Sequence, residues 1–200
     1  MESFKSYIKK GTLSIFDIDD TLFHTTAKIA VVKDGKKIKT LSNNEFNGYK
    51  LAPGESFDFS EFRDAEKFYK ESEPIDRMLN KAKIILDRST RNPKSRVVIV
   101  TARANFDDKD RFLDTFKKHK FDIGKVRVER AGNIGGDLIP AFKKVIIIRN
   151  YLNTGEFGKV RLFDDAMSNL TEFLKLKSEF PGIKFEAFFA NPDGSIKTIK

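Results

Sequence analysis

A chain of 200 residues has room for one domain, or for one domain carrying an insertion. It has no cysteine and only two histidines, His24 and His119, which excludes a disulfide framework, a thiolate nucleophile, cysteine-based zinc or iron–sulfur sites and a multi-histidine metal cluster. A formal charge of +9, from 38 Lys and Arg against 29 Asp and Glu, favours anionic partners, although the basic residues fall in short groups (9–10, 36–39, 88–96, 117–120), as on any solvated surface. Any catalyst must therefore be made from carboxylates, hydroxyls and amines, with a hard cation that prefers oxygen ligands.

The first element expected is an apolar strand through Ser14, Ile15 and Phe16 that stops at Asp17, Asp19, Asp20 and Thr21. Residues 28–33 and 37–41 alternate in polarity around Asp34 and Gly35, which predicts a hairpin, because Gly tolerates the positive φ of a tight turn. Residues 42–59 hold Asn, Gly and Pro without a period and read as irregular. Helices are expected over 60–72 and 74–89, the second with Ile75, Met78, Leu79, Ala82, Ile85 and Leu86 on one stripe. Residues 96–101 offer no polar face and read as the buried centre of a parallel sheet. A helix over 107–119, a strand over 125–129, a helix from Pro140 to about Leu152, a strand over 159–163, a helix over 168–180 and strands over 183–189 and 196–199 complete the chain. Strands alternating with helices imply a mostly parallel, three-layer α/β sandwich. Aliphatic runs at 97–100 and 145–148 are far shorter than the ~18 residues of a membrane span. The opening MESFKSYIKKG lacks a long apolar segment, so no membrane and a reducing, cytoplasmic setting are expected.

Three apolar strands end in polar clusters: Asp17, Asp19 and Thr21 after the first, Thr101 after the second, Asp164 and Asp165 after the last. Ligand sites of open α/β sheets lie at the carboxyl ends of strands, so these groups should meet. Carboxylates converging in one crevice repel unless a cation joins them, which predicts a hard divalent ion, Mg²⁺.

FDIDDTLF (16–23) matches the DxDxT signature of the haloacid-dehalogenase-like phosphohydrolases; VVIVT (97–101) resembles their second motif and RLFDD (161–165) their fourth. The resemblance implies a Rossmann-like core, here residues 1–23 and 95–200, with a flap hairpin and small helical cap inserted as residues 24–94. Carried over by position, it implies Asp17 as the nucleophile that accepts the phosphoryl group and Asp19 as the acid and base. It also implies Thr101 as a hydroxyl donor to a phosphoryl oxygen and a lysine at a helix start as the neutralising cation. Lys143 and Lys144 are both candidates, and Lys143 is chosen. Asp165, the Asp17 carboxylate and the Asp19 carbonyl are implied as metal ligands, with Asp164 in support; Asn169 stands where many relatives carry another acid.

The function expected is a Mg²⁺-dependent phosphomonoesterase acting on a small phosphorylated metabolite or nucleotide. Two alternatives stand beside it: a nucleic-acid end (3′-phosphate) phosphatase, and a noncatalytic protein that binds anions or nucleic acid on the same fold. No protein partner is required by the pattern. Arg103 is a candidate substrate contact, with a surface or cap-facing role standing equally beside it. Gly132, Gly135 and Gly136 lack dinucleotide spacing and read as a loop. Phe23, Phe57 and Phe59 are candidates for the site entrance, with core packing the commoner role of phenylalanine.

Overall fold

The computed structural model describes residues 10–136 and 138–200; Lys9 and most of the opening segment discussed above lie outside them. β1 (Gly11–Phe16) leads to the short β2 (Phe23–His24), and the hairpin strands β3 (Ile29–Lys33) and β4 (Lys36–Leu41) follow. Asp34 and Gly35 both take positive φ, 50° and 73°, as the predicted two-residue turn requires. Next come α1 (Asn43–Gly48), β5 (Glu55–Asp58), α2 (Ala65–Glu71), β6 (Glu73–Pro74) and α3 (Asp76–Thr90). The rest is β7 (Arg96–Thr101), α4 (Lys109–Lys118), β8 (Arg127–Arg130), α5 (Pro140–Asn153), β9 (Phe157–Asp164), α6 (Met167–Lys175), β10 (Lys184–Ala190) and β11 (Ile196–Ile199).

Six strands form one sheet in the order β11-β10-β9-β1-β7-β8, parallel throughout except for β11, which pairs antiparallel with β10. Strand periodicity explains why β7 has no polar face. Val97 and Ile99 point into an apolar cluster with Met78, Leu79 and Ala82 of α3 and Phe112 and Phe116 of α4. Val98 and Val100 point the other way, to Val145 and Ile148 of α5 and Leu170 and Phe173 of α6. Helices thus cover both faces, the condition under which a parallel sheet buries every side chain of its central strands. Each fully buried phenylalanine of these clusters contributes roughly 1.5–3 kcal/mol relative to exposure. α3 lies within the stretch assigned to the insertion, yet it packs in the same cluster as Phe16 and the central strands.

Two expectations are corrected. Residues 42–59 are not irregular: Ser42 and Glu45 form a capping box that starts α1, and β5 pairs antiparallel with β3 to make a three-stranded sheet. The helix expected over 60–72 is divided at Asp64, whose side chain accepts the Lys67 N–H and caps α2 afresh. No helix among the described residues is long and apolar enough to cross a membrane.

Candidate active site

The chain leaves β1 at Asp17, whose N–H donates to the Phe163 carbonyl at 3.1 Å and so continues the ladder with β9 by one residue. Beyond it the N–H groups of Thr21, Leu22 and Phe23 all donate to the Ile18 carbonyl, folding 18–23 into a tight loop with Asp20 at φ 54°. β9, next to β1 in register, ends at Asp164, so Asp17, Asp164 and Asp165 gather at one edge of the sheet. Each of the three brings an oxygen to within 4.8 Å of the others.

Among the described residues, one cation is paired with two of them. Lys144, 2% exposed, holds its Nζ 2.8 Å from Asp164 Oδ2 and 2.9 Å from Asp17 Oδ1. It donates to Asp164, and it pairs with Asp17 Oδ1 as an ion pair. The other Asp164 oxygen accepts from Asn169 Nδ2 (2.8 Å) and the Ala166 N–H (3.0 Å), so both of its oxygens are engaged within the protein. Thr21 Oγ1 lies 3.4 Å from Asp165 Oδ1 as a weak donor.

Burial pushes the Asp17 carboxyl well above the usual carboxylate range; Lys144 pulls it down, but Asp164, Asp165 and Asp19 push it up again. Burial, then the Asp164 charge, raises Asp165 to about 7. Burial opposes charge on Lys144 as well, yet Asp164 and Asp17 outweigh it and hold the ammonium charged above its ordinary range. Three carboxylates against one lysine leave negative charge uncompensated in a desolvated site.

Asp19 is held apart from this cluster. Arg103, 3% exposed, donates from Nε to Asp19 Oδ2 at 2.9 Å and from Nη2 to Oδ1 at 2.6 Å, and Thr25 Oγ1 donates to Oδ1 at 2.7 Å. The second terminal nitrogen of Arg103 donates to the Phe62 carbonyl, and the Phe62, Phe68 and Phe106 rings lie 4.8, 4.9 and 5.3 Å from the guanidinium carbon. Burial works to raise the Asp19 carboxyl, but the charge and hydrogen bonds of Arg103 overcome it and lower the pKa. Thr101 ends β7 fully buried; its Oγ1 accepts the Arg103 N–H at 3.2 Å, which leaves the hydroxyl proton to be donated elsewhere.

The structure corrects one of the expected placements. The lysine between the carboxylates is Lys144, not Lys143. Ala141, Val145, Ile148 and Leu152 form the buried stripe of α5, and Lys144 stands on it three residues after Ala141, while Lys143 is off it and half-buried. Helical spacing held that signal. Arg103, read as a contact of substrate or of cap, has its guanidinium on Asp19 and on the Phe62 carbonyl of the inserted segment; the pairing with Asp19 across 84 positions is one that no local pattern announces. The supporting roles of Thr25 and the Ala166 N–H were likewise invisible, because neither lies in a motif, whereas Thr21 was marked by the DxDxT signature.

The donor set accepts a cation. With Asp164 engaged on both sides and Asp17 Oδ1 paired with Lys144, the oxygens that remain are the other Asp17 oxygen and those of Asp165. These are hard ligands that suit Mg²⁺, Mn²⁺ or Ca²⁺ alike. No protein-family model matches this chain, and a search of curated proteins finds no match.

Proposed function

We propose that this chain is a divalent-metal-dependent phosphomonoesterase of the haloacid-dehalogenase-like type on a Rossmann-like core, in which Asp17 takes a phosphoryl group from a small phosphorylated metabolite or nucleotide. One observation carries the reading: Asp17 and Asp165 come together at the carboxyl edge of a parallel sheet, with Asp164 and Lys144 committed beside them. A carboxylate cluster of this kind costs stability, which Lys144 offsets in part and which a bound cation with an anionic substrate would offset further.

Asp17 attacks phosphorus and the P–O bond to the leaving oxygen breaks as that oxygen takes a proton from Asp19; a water, giving a proton back to Asp19, then attacks the phosphorus of the aspartyl-phosphate to release inorganic phosphate and regenerate the Asp17 carboxylate. Lys144 offsets charge on Asp17 and on the incoming phosphoryl oxygens, and Thr101 donates its hydroxyl proton to one of them. Proton transfer by Asp19 requires its carboxylate to turn out of the Arg103 fork, since there it is an acceptor on both oxygens. Asp17 and Asp165, with the Asp19 carbonyl, would hold a divalent ion such as Mg²⁺, which would supply electrostatic stabilisation of charge on the phosphoryl oxygens. The test is phosphate release from p-nitrophenyl phosphate and a panel of sugar phosphates and nucleotides, with and without Mg²⁺. Asp17→Asn should lower kcat on the order of 10³-fold or more; full activity in that variant excludes the mechanism.

A second reading, the nucleic-acid end phosphatase, draws on β4, where Lys36, Lys37 and Lys39 are all exposed at the tip and edge of the inserted sheet. Faster turnover of a 3′-phosphorylated oligonucleotide than of any small substrate favours it. No turnover across the whole panel, with salt-sensitive binding of nucleic acid, favours the noncatalytic alternative.

A further inference from the structure

Away from the carboxylates, a groove of about 490 Å³ runs between the flank of α3 and strands β9, β10 and β11. Its floor is apolar: Ile84 is 53% exposed, and Phe188 and Ile196 are only partly covered. Lys81 and Arg88 line one wall and Arg161 the other. The single acid there, Glu186, already accepts from Arg161 (2.9 Å) and pairs with Lys184 (2.9 Å), so the rim keeps a positive excess.

The groove has a closed end. Gly194, in the β10–β11 turn at φ 75°, lies so close to α3 that a Cβ there would fall 2.7 Å from Arg77 Cβ, and Arg77 is itself paired with Asp193 at 3.1 Å. From Arg77 to Arg88 the stripe of α3 spans about 16 Å, roughly three helical turns. Charge decides the occupant. A second copy of this chain would bring another +9 and another basic rim against the first. A nucleic acid would satisfy the rim but leave the isoleucines of the floor unused.

We propose that this groove docks an acidic amphipathic helix of a partner protein, its apolar stripe on Ile84, Phe188 and Ile196 and its carboxylates against Lys81, Arg88 and Arg161. The docked helix enters from the Arg88 end. It rests on the aromatic stack that supports the candidate active site: Phe188 lies face to face with Phe163 at 4.8 Å and Phe163 with Phe16 at 4.5 Å, and these last two immediately precede Asp164 and Asp17. The proposal stands whether or not the chain is a phosphatase.

The test uses the full chain and a fluorescein-labelled helical peptide of roughly four turns, with leucine at spacings of three and four and glutamate elsewhere, followed by fluorescence anisotropy. Saturable binding is expected, weakened at least about tenfold both by Ile84→Glu and by the Lys81→Glu, Arg88→Glu pair. The same peptide with lysine in place of glutamate should not bind. All three substitutions are on the helix surface, and circular dichroism checks that the fold is kept. Absence of saturable binding overturns the proposal. So does binding that falls with the charge pair, ignores Ile84→Glu and is displaced by a short DNA duplex, since that behaviour belongs to a polyanion surface.

Discussion

Replacing Lys144 with methionine keeps most of the side-chain volume and removes the one cation between two buried carboxylates, 2.8 Å from Asp164 and 2.9 Å from Asp17. Breaking a buried ion pair by deleting one partner costs about 3–5 kcal/mol. At roughly 2–4 °C per kcal/mol for a chain of this size, Tm at pH 7 without metal should fall by roughly 6–20 °C. The sign with pH follows from what is left behind. Without Lys144, which lowers its pKa, Asp17 is still harder to ionise in the folded chain than in the unfolded one, so the penalty is present well above the ordinary carboxylate pKa of ~3.9 and fades as pH falls toward it. The gap between variant and parent should therefore narrow from pH 7 to about pH 4, and Mg²⁺ at pH 7 should recover part of it. Lys143→Met, off the buried stripe, should stay within about 0.5 kcal/mol of the parent. Urea unfolding followed by circular dichroism, in chelator at both pH values, measures all of this. Equal midpoints for Lys144→Met and the parent at pH 7, or an equal loss in Lys143→Met, would refute the reasoning.

Three more outcomes are expected. Arg103→Met leaves a half-buried Asp19 with Thr25 as its remaining side-chain donor and should cost about 3 kcal/mol; Asp19→Asn in the same chain should recover part of it, and strict additivity in that double-mutant cycle would contradict the pairing. Gly132→Ala should cost about 1–3 kcal/mol, because its Cβ would fall 2.5 Å from the Ala102 carbonyl oxygen in the loop after β7, whereas Gly135→Ala meets nothing within 4 Å and should be nearly neutral in the same unfolding assay. His119 has its pKa lowered by burial first and then by Lys118 and Lys83, so the unfolded chain binds the proton more readily. Stability should decline as pH falls through about 6.5, and His119→Phe should remove that part of the slope; identical slopes would exclude it.

The parts of the fold that could be read from sequence are those where burial leaves a strong local pattern. β7 was placed at its observed limits because a strand covered on both faces needs four consecutive aliphatic residues, and the Asp34-Gly35 turn because its backbone demands residues that accept positive φ. β5 was missed because one face of Glu55–Asp58 is polar and its partner strand lies more than twenty positions away. In the site, the acidic motifs marked Asp17, Asp164 and Asp165, whose side chains meet as expected. Lys144 against Lys143 turned on the phase of α5, which Ala141, Val145 and Ile148 encode, and a choice made by proximity to the helix start ignored it. The Arg103–Asp19 pair arises when the loops after β1 and β7 come side by side, and it is a property of the sheet order rather than of either segment.

The most direct measurement is a crystal structure of the chain grown with Mg²⁺ and beryllium fluoride. The account predicts a tetrahedral fluoroberyllate bonded to the Asp17 carboxylate, with one metal ion touching both Asp17 and Asp165. A metal ion bound away from these two residues, or fluoroberyllate absent from Asp17 with the metal in place, would contradict it.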